Sequence, residues 1–505
     1  MKASFSAYLK PFYFNNVNTK MKLLGLVLLT VLSAMEAQNQ MRYDIVLQGG
    51  RVIDPETALD TIKNVGISDG KIVEISYNDL SGKQVIDVKG FVVSPGFIDL
   101  HVHGISNKEQ EYQIKDGVTT ALELEWGVAE LQQWYAQRNG KALINYGASV
   151  NWPYYRAKAM GAIPQKSNNK NQINYLELDE LFVALMPSFE TTLSRDRYPK
   201  MLKLLEKSLN EGGIGLGVPV GYLNGATREE VFEVYKFANK HNSLVFSHVR
   251  SGGAVAIQQA IANAMLSGAS LHIVHMNSMA LGEIGLTLEM VALAQEKGFD
   301  ITTEVYPYTA ASTGLNSAIF DAGWKERLAI SYSDIQLVKT GERLTESTFK
   351  TNKANNELVI IHMMKPEWIA AGINTKNVMI ASDGMPYSKL AHPRTAGTFS
   401  RILGKYVRED QLIDLKEALG KMTWLPAKRL EDIAPAMKSK GRLQIGADAD
   451  ITVFNPETII DKATFEDGLD FSEGVEFVIV NGTLLLNKGT LIENKFPGQA
   501  ILGKL

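Results

Sequence analysis

Short apolar segments alternate with longer, helix-like segments along most of this chain, and few folds accommodate that order. Residues 228–240 and 280–297 show the apolar spacing of helices that pack one face against a core. The candidate strands are residues 97–100, 119–125, 142–150, 213–218, 244–247, 270–274, 300–305 and 378–381. Eight parallel strands with intervening helices close into a (β/α)8 TIM barrel, so the sequence predicts an α/β fold with a barrel domain over residues 96–440.

The two ends of the chain have a different pattern. Residues 41–95 and 441–505 contain short strand-like runs separated by turn signals. Asn481-Gly482 is the kind of two-residue sequence that joins antiparallel strands in a hairpin. We therefore expect both ends to form one small β-sandwich domain beside the barrel.

The connection between the seventh and eighth candidate strands is far longer than a usual βα loop. Loops of that length in compact domains commonly cover an active site or bind a ligand. We expect residues from about 310 to 355 to form a lid or a substrate-binding insertion at the end of the barrel.

The amino terminus contains the pattern of a secretory signal peptide. Lys22 precedes an apolar run over residues 23–34, and small residues follow at Ser33, Ala34 and Ala37. The run is too short for a membrane span, which needs about 20 apolar residues. The alternative is a buried core helix, but polar residues follow the run directly. We expect translation to start at Met21, cleavage within about residues 21–40, and export to the periplasm or the medium.

The composition excludes several partners and chemistries. The chain has 52 Lys and Arg against 55 Asp and Glu and shows no basic cluster, which argues against nucleic acid as a partner. It contains no Cys, so it forms no disulfide, thiolate metal site or cysteine nucleophile. No segment after the amino terminus is apolar enough to cross a bilayer. We therefore expect neither nucleic acid nor a membrane as a partner, and the composition is compatible with a small-molecule substrate.

Several histidines follow candidate barrel strands. His101 and His103 come after the first strand, and in extended chain their side chains point to the same side. His248 ends the fifth strand, His275 the sixth, and Asp383 follows the eighth. A single His-x-His pair could arise by chance, but functional groups of a barrel collect at the carboxyl ends of its strands. The combination predicts a metal site.

Imidazole and carboxylate ligands suit Zn²⁺, with one or two ions in the site. Zinc lowers the pKa of a bound water to about 7 and so supplies a nucleophile at neutral pH. Asp383 would accept the proton of that water and deliver it to the leaving group. The expected reaction is hydrolysis of an amide or a related bond.

Longer motifs point to a family. Residues 94–103, Ser-Pro-Gly-Phe-Ile-Asp-Leu-His-Val-His, resemble the opening of the amidohydrolase superfamily. Further motifs at residues 117–120, 304–310, 382–384, 392–399, 421–427 and 441–450 resemble the N-acyl-D-amino-acid deacylases, or D-aminoacylases. The resemblance implies metal-dependent hydrolysis of the amide bond of N-acyl-D-amino acids, with acidic ones such as D-glutamate among the candidates.

The resemblance also implies roles for single residues. His101, His103, His248 and His275 match metal ligands, and Asp383 matches the catalytic acid and base. Tyr306 and Arg394 match positions that hold the substrate, where an arginine fork can bind a carboxylate through two hydrogen bonds. Tyr308 and Ser312 are further candidates for substrate binding, although Tyr308 could be a core residue and Arg394 a partner in a surface salt bridge. Arg250 either reaches the substrate carboxylate or braces the loop that follows His248.

The chain departs from the family pattern at two positions. D-aminoacylases usually have a metal-bridging cysteine after the second strand, where this chain has Glu123 and Glu125. A carboxylate can replace a thiolate on zinc, and Glu125 is the preferred candidate because it is nearer the end of the strand. Asn277 stands where the family commonly has a lysine, which puts the identity of the substrate in question.

Two rival functions fit the same barrel. One is a cyclic-amide hydrolase or an isoaspartyl-type dipeptidase of the same superfamily. Residues 212–221, on the fourth strand, contain no lysine, which counts against relatives that bridge their metals with a carboxylated lysine. The other rival is a noncatalytic binding protein, against which Asp383 argues because binding alone needs no proton acceptor.

Overall fold

A computed structural model describes residues 43–163, 178–386 and 392–504. The predicted signal peptide and the predicted start at Met21 lie outside these described residues. Across the three described ranges, every helix is too short or too polar to cross a membrane.

The described chain starts with strands of the end domain. They are β1 (Tyr43–Asp54), β2 (Leu59–Ser68), β3 (Lys71–Ser76), β4 (Gly82–Asp87) and β5 (Val92–Pro95). β1 pairs antiparallel with β2, and it pairs parallel with β4 through its first half and with β5 near Val52. Asp69-Gly70 joins β2 to β3 with positive φ at both residues (50° and 75°), as a tight hairpin turn requires.

Parallel strands form the barrel in the middle of the chain. The first seven barrel strands are β6 (Phe97–Asp99), β7 (Val118–Val128), β8 (Asn145–Asn151), β9 (Leu216–Pro219), β10 (Leu244–His248), β11 (Ser270–Ile273) and β12 (Ile301–Val305). After three strands of the insertion, β13 (Ala310–Gly314), β14 (Ile335–Leu337) and β15 (Leu358–His362), the eighth barrel strand is β16 (Val378–Ile380). Each barrel strand overlaps one candidate of the sequence, and the predicted (β/α)8 fold is confirmed.

The ring closes between the first and last barrel strands through the segments that follow them. Val102 bridges Gly384 in parallel, and the backbone N–H of His103 donates to the Gly384 carbonyl at 2.6 Å. The Asp99 carboxylate reinforces the closure, since its Oδ1 accepts from the backbone N–H groups of His101 and Ser382. These contacts place the histidines after β6 beside the aspartate after β16.

Helices surround the barrel strands and extend into the insertion. They are α1 (Asn107–Lys115), α2 (Leu131–Arg138), α3 (Trp152–Met160), α4 (Leu178–Phe189), α5 (Tyr198–Asn210), α6 (Arg228–Lys240), α7 (Ala254–Ser267), α8 (Met276–Ala280), α9 (Ile284–Glu296), α10 (Trp324–Leu328), α11 (Glu346–Ala354), α12 (Pro366–Asn374), α13 (Arg394–Arg401), α14 (Leu415–Met422) and α15 (Trp424–Leu430). Short 3-10 turns occur at Arg195–Arg197, Val220–Tyr222, Leu281–Glu283, Ala318–Phe320, Tyr332–Asp334 and Pro435–Ser439, and a π-helical segment at Ile402–Glu409.

Two helices illustrate how the sequence sets the boundaries. α6 starts where predicted because the Thr227 hydroxyl accepts from the Glu230 backbone N–H, which caps the helix. The helix predicted over residues 280–297 is wrong at its start. Leu281 takes a positive φ of 48° and interrupts the helix, so α8 ends at Ala280 and α9 begins only at Ile284.

The long connection between β12 and β16 contains its own small sheet. β15 pairs antiparallel with both β13 and β14, and α10 and α11 pack beside them. This is the segment in which the sequence predicts a lid. Its residues line one wall of the large cavity at the barrel end.

The chain returns to the end domain after the barrel. Strands β17 (Ile451–Phe454), β18 (Val475–Val480), β19 (Thr483–Asn487) and β20 (Thr490–Leu491) extend the first sheet through the antiparallel pairing of β17 with β5. Apolar side chains from both ends of the chain share one buried core, including Val52, Val65 and Phe477. The last residues then run back to the barrel, where Ile501 donates to the Tyr146 carbonyl.

Candidate metal centre and active site

The histidines predicted as metal ligands meet at the carboxyl ends of the barrel strands. His101 and His103 follow β6, His248 ends β10, and His275 follows β11. Glu125 reaches the same point from β7. All five side chains are buried or nearly so, in the part of a barrel where functional groups collect.

The Glu125 carboxylate lies between two pairs of imidazoles. Its Oε2 is 3.2 Å from His101 Nε2 and 3.1 Å from His103 Nε2. Its Oε1 is 2.6 Å from His248 Nδ1 and 3.2 Å from His275 Nε2. A carboxylate that presents one oxygen to each pair has the geometry to bridge two cations.

Glu123 lies on the same strand but has a different position. Its Oε2 accepts from His103 Nδ1 at 2.9 Å, on the far side of the ring from Glu125. Its Oε1 accepts from the backbone N–H of Trp126. Glu123 therefore holds the His103 ring, and Glu125 is the residue that the structure brings to the four ring nitrogens.

Glu304, at the carboxyl end of β12, holds His101 in the same way. Its Oε1 accepts from His101 Nδ1 at 2.6 Å, and its Oε2 accepts from His272 Nε2 at 3.0 Å. Burial alone would raise the pKa of Glu304, but the two imidazoles outweigh it and lower this pKa to about 2. Carboxylates of this kind fix the orientation of metal-binding imidazoles. The residue lies in a motif quoted above, yet its role is visible only in the fold.

Asp383 faces the ring nitrogens of the first two histidines. Its Oδ1 is 3.5 Å from His101 Nε2 and 3.4 Å from His103 Nε2, and its Oδ2 is 2.8 Å from Arg394 Nη1. Burial would raise the pKa of Asp383, but Arg394 and the imidazoles hold it well below its usual range. The carboxylate is therefore ionised.

Strained backbone occurs at two of these positions. His275 has a φ of 33° and Asp383 a φ of 52°, in a region that residues with a side chain seldom occupy. Such conformations persist where the surrounding structure fixes them, and they cluster at functional sites. Both residues lie two or three positions after the end of a strand, so the turn aims each side chain at the cluster.

The donor set fits zinc. Four imidazole nitrogens and the Glu125 carboxylate supply the nitrogen and oxygen ligands that Zn²⁺ prefers. Two overlapping groups within the cluster have ligand atoms close enough to share an ion: His101 with Glu125 and His275, and His101 with His103 and Asp383. The two groups have His101 in common, so the residues fit a centre of one or two ions.

A cavity of about 1030 Å³ opens above the cluster. Of the residues predicted to bind substrate, Arg250 and Ser312 line it. Nε and Nη2 of Arg250 and Oγ of Ser312 have no hydrogen-bond partner among the described residues. These unpaired polar atoms suit an anionic or polar group of a ligand.

The other residues predicted to bind substrate lie behind this surface. The Arg394 side chain is 1% exposed, and its guanidinium stacks on the Tyr306 ring at 4.8 Å. The hydroxyl of Tyr308 donates to Asp461 at 3.1 Å in the buried core. Asn277, at the position of the family lysine, binds the backbone of Tyr306 through its side-chain amide. None of the four is part of the described cavity wall.

Aromatic side chains that the sequence did not single out form a further wall of the cavity. The Trp126 ring is 5.2 Å from the Phe182 ring and 5.0 Å from the Tyr222 ring, centroid to centroid. The Tyr222 ring also lies beside His248, with the ring centroids 4.8 Å apart. Trp126 directly follows Glu125, so the aromatic wall begins at the metal centre.

A barrel with imidazoles and a shared carboxylate at the carboxyl ends of its strands, and an aspartate after its last strand, defines a metal-dependent hydrolase. The sequence profile of the amidohydrolase family matches residues 84–485, and the chain belongs to that family.

Relatives within the family are similar over nearly the whole chain. The D-aminoacylase of Alcaligenes xylosoxydans xylosoxydans is 28% identical over 92% of this chain and 98% of its own length. The N-acyl-D-glutamate deacylase of the same organism is 28% identical over 88% of this chain and 93% of its own length. The resemblance to D-aminoacylases seen in the motifs is confirmed.

Solved structures agree with the fold. A D-aminoacylase crystal structure superposes with a TM-score of 0.75 at 25% identity and covers 92% of this chain and 100% of that one. The N-acyl-D-glutamate deacylase of Bordetella bronchiseptica, with zinc and a phosphonate inhibitor, superposes with a TM-score of 0.77 at 23% identity and the same coverage.

Proposed function

We propose that this protein hydrolyses the amide bond of N-acyl-D-amino acids with the help of bound zinc. The observation that carries the proposal is the position of Glu125 between four imidazoles, with the Asp383 carboxylate beside two of the same ring nitrogens. Similarity to the D-aminoacylase and N-acyl-D-glutamate deacylase relatives supports the choice of substrate.

Zinc would be held by His101, His103, His248, His275 and Glu125. When bound, zinc supplies a Lewis acid that makes water acidic near neutral pH and polarises a carbonyl group. Glu123 and Glu304 accept from the outer nitrogens of His103 and His101, so they keep the inner nitrogens pointed at the centre.

Asp383 carries the proton in this mechanism. Its ionised carboxylate accepts a proton from the attacking water, and the acid then donates that proton to the departing amine. Arg394 pairs with Oδ2 at 2.8 Å and leaves Oδ1 on the side of the histidines. The proton is therefore held at Oδ1, the oxygen nearest the reacting atoms.

Arg250 would bind the carboxylate of the substrate. It lines the cavity, and two of its guanidinium nitrogens have no hydrogen-bond partner among the described residues. A carboxylate can occupy two such N–H groups at once. Asn277 carries no charge to share this task, and Arg250 lines the cavity two residues after His248.

We also propose that the protein is exported and acts outside the cytoplasm. The support is the apolar run after Lys22 and the small residues that follow it. Sequencing the amino terminus of the native protein tests this, with a first residue between about 30 and 41 expected. A mature protein that begins before residue 30 would contradict export by cleavage.

A matched substrate panel tests the catalytic proposal. One purified, zinc-loaded sample is offered N-acetyl-D and N-acetyl-L forms of Glu, Met and Leu, and metal content and free amino acid are measured together. Zinc in the protein with release from the D series only is expected. Zinc without release from either series would contradict the proposal and favour cyclic amides or isoaspartyl peptides.

A further inference from the structure

A buried histidine in the same motif as Arg394 has no part in the proposed reaction. His392 begins that motif, and it is 1% exposed. Its ring packs among aromatic rings, with centroids 5.7 Å from Tyr308 and 5.2 Å from Phe465. A purely apolar ring could make those contacts as well. The feature that an imidazole adds at this position is its pair of ring nitrogens.

Both ring nitrogens of His392 are hydrogen-bonded. Nδ1 accepts from the backbone N–H of Arg394 at 3.1 Å, and Nε2 lies 2.9 Å from the carbonyl oxygen of Ala310. Because an N–H group only donates and a carbonyl only accepts, these partners assign a neutral ring with its proton on Nε2. Burial and the positive charge of Arg394 act in the same direction, since they hold the pKa of His392 well below its usual range.

The bond at Nδ1 fixes the start of α13. Arg394 is the first residue of that helix, and the backbone N–H groups of a first helical turn have no partner within the helix. His392 Nδ1 satisfies this one. From the same residue the guanidinium reaches Asp383 Oδ2 at 2.8 Å. The imidazole therefore holds the backbone from which the partner of Asp383 extends.

The bond at Nε2 fixes a wall of the cavity. Ala310 is the first residue of β13, and the four residues that follow it, 311–314, line the cavity. One of them is Ser312, whose Oγ has no hydrogen-bond partner among the described residues. One ring thus joins the insertion, at the strand that faces a ligand, to the arginine that pairs with Asp383.

We infer that His392 is a positioning residue, which holds the β13 wall of the cavity and Arg394 in a fixed relation to Asp383. The inference rests on the proposed function, in which Asp383 carries the proton. His392 is not part of the described cavity wall. It therefore acts through Arg394 and β13 and does not touch the substrate.

Two substitutions separate the two hydrogen bonds. In His392→Gln the side-chain amide nitrogen lies near the position of Nε2, so the bond to Ala310 is kept and the bond to Arg394 is lost. In His392→Asn the amide oxygen lies near the position of Nδ1, so the opposite bond is kept. We expect His392→Gln to lower kcat about tenfold, since small displacements of reacting groups are costly. His392→Asn should raise KM about 3–10-fold and leave kcat within about threefold of the wild-type value.

A double-mutant cycle tests whether His392 acts through Arg394. The full, zinc-loaded chain is assayed with the best substrate among N-acetyl-D-Glu, N-acetyl-D-Met and N-acetyl-D-Leu, before and after His392→Gln. The same pair is then compared in the background of Arg394→Met. Residues of one hydrogen-bond network give non-additive effects. The tenfold loss in kcat should therefore shrink to about twofold or less when the Arg394 side chain is absent.

His362→Gln is the matched control. His362 pairs with Ala310 across the small sheet, and its ring also packs on Phe465, at 4.7 Å. Its Nε2 lies 3.0 Å from Gln336 Oε1, so this hydrogen bond stays within the insertion. The residue also lies outside the described cavity wall. Its substitution should leave kcat and KM within about twofold of the wild-type values.

The outcomes distinguish the inference from the proposed function. Zinc content and unfolding temperature are measured for every variant. An equal loss in kcat from His392→Gln in both backgrounds, with zinc content unchanged, would overturn the inference and leave the proposed function standing. Absence of hydrolysis by the zinc-loaded wild-type chain would remove both.

A second comparison applies if His392→Gln does not fold. His392→Asn then decides, because it keeps the hydrogen bond to Arg394. A raised KM with a nearly unchanged kcat supports the inference. A kcat that falls as far as KM rises, or no change in either, would overturn it.

Discussion

Arg394 Nη1 lies 2.8 Å from Asp383 Oδ2, so the carboxylate that we propose as the proton carrier is half of a buried ion pair. The same guanidinium stacks on the Tyr306 ring. Breaking one member of a buried pair leaves the other charge uncompensated, which makes the pair hard to separate. We therefore expect Arg394 to act on the reaction through Asp383.

The first prediction concerns the pH dependence set by this pair. Arg394→Met removes the positive charge that holds the pKa of Asp383 below its usual range, so that pKa rises. Because Asp383 must be ionised to accept a proton, the acidic limb of the kcat profile moves to higher pH. A pH series of kcat and KM checks this. A raised KM with an unmoved acidic limb would show instead that Arg394 holds the substrate carboxylate.

The second prediction separates Arg250 from Arg394. Arg250→Met should raise KM for N-acyl amino acids about 10–100-fold, since a hydrogen bond to a charged group is worth about 1.5–3 kcal/mol. The KM for substrates in which a carboxamide replaces the carboxylate should rise much less. Arg195→Met is the matched control, because the Arg195 side chain is 77% exposed. An equal rise in KM for both kinds of substrate would exclude a contact between Arg250 and the substrate carboxylate.

The third prediction compares the two glutamates of β7. Glu125→Gln should abolish tight binding of zinc, because Glu125 contacts all four imidazoles. Glu123→Gln removes only a charged partner of His103. It should weaken zinc binding or lower activity about 10–100-fold. Zinc affinity by competition with a chelator measures both. The reverse order of effects would assign the metal to Glu123.

The positions of the barrel strands could be predicted because each strand is signalled locally, by a short apolar run. The histidines that meet at the barrel end could be predicted for the same reason, since each follows such a run. Glu304 could not, because its role depends on facing His101 across 203 residues of sequence. Phe182 is a similar case, since a helix beyond the third strand brings it to Trp126. The resemblance in the motif predicts that Arg394 holds the substrate. Only the folded structure shows that its side chain contacts Tyr306 and Asp383.

The fourth prediction concerns the number of metal ions. The chelated protein should lose activity and unfold at a lower temperature, because a ligand that binds only the folded state stabilises that state. The stabilisation is about 2.7 kcal/mol when the free ligand concentration is 100 times Kd. Zinc should restore both properties and bind at two per chain, one for each imidazole pair beside Glu125. Calorimetric titration of the chelated protein counts the ions. Saturation at one equivalent would mean that the two pairs share a single ion.

The last prediction separates an enzyme from a binding protein on the same barrel. Asp383→Asn keeps the shape of the side chain but removes its capacity to accept a proton, so kcat should fall about 10²–10⁴-fold. The four imidazoles and Glu125 are untouched, and zinc content should stay at the wild-type level. Binding of the substrate, measured by calorimetry with the slow variant, should remain within a few-fold of the wild-type KM. If turnover survives the substitution, another group carries the proton. If zinc is lost together with turnover, Asp383 is a metal ligand in its own right.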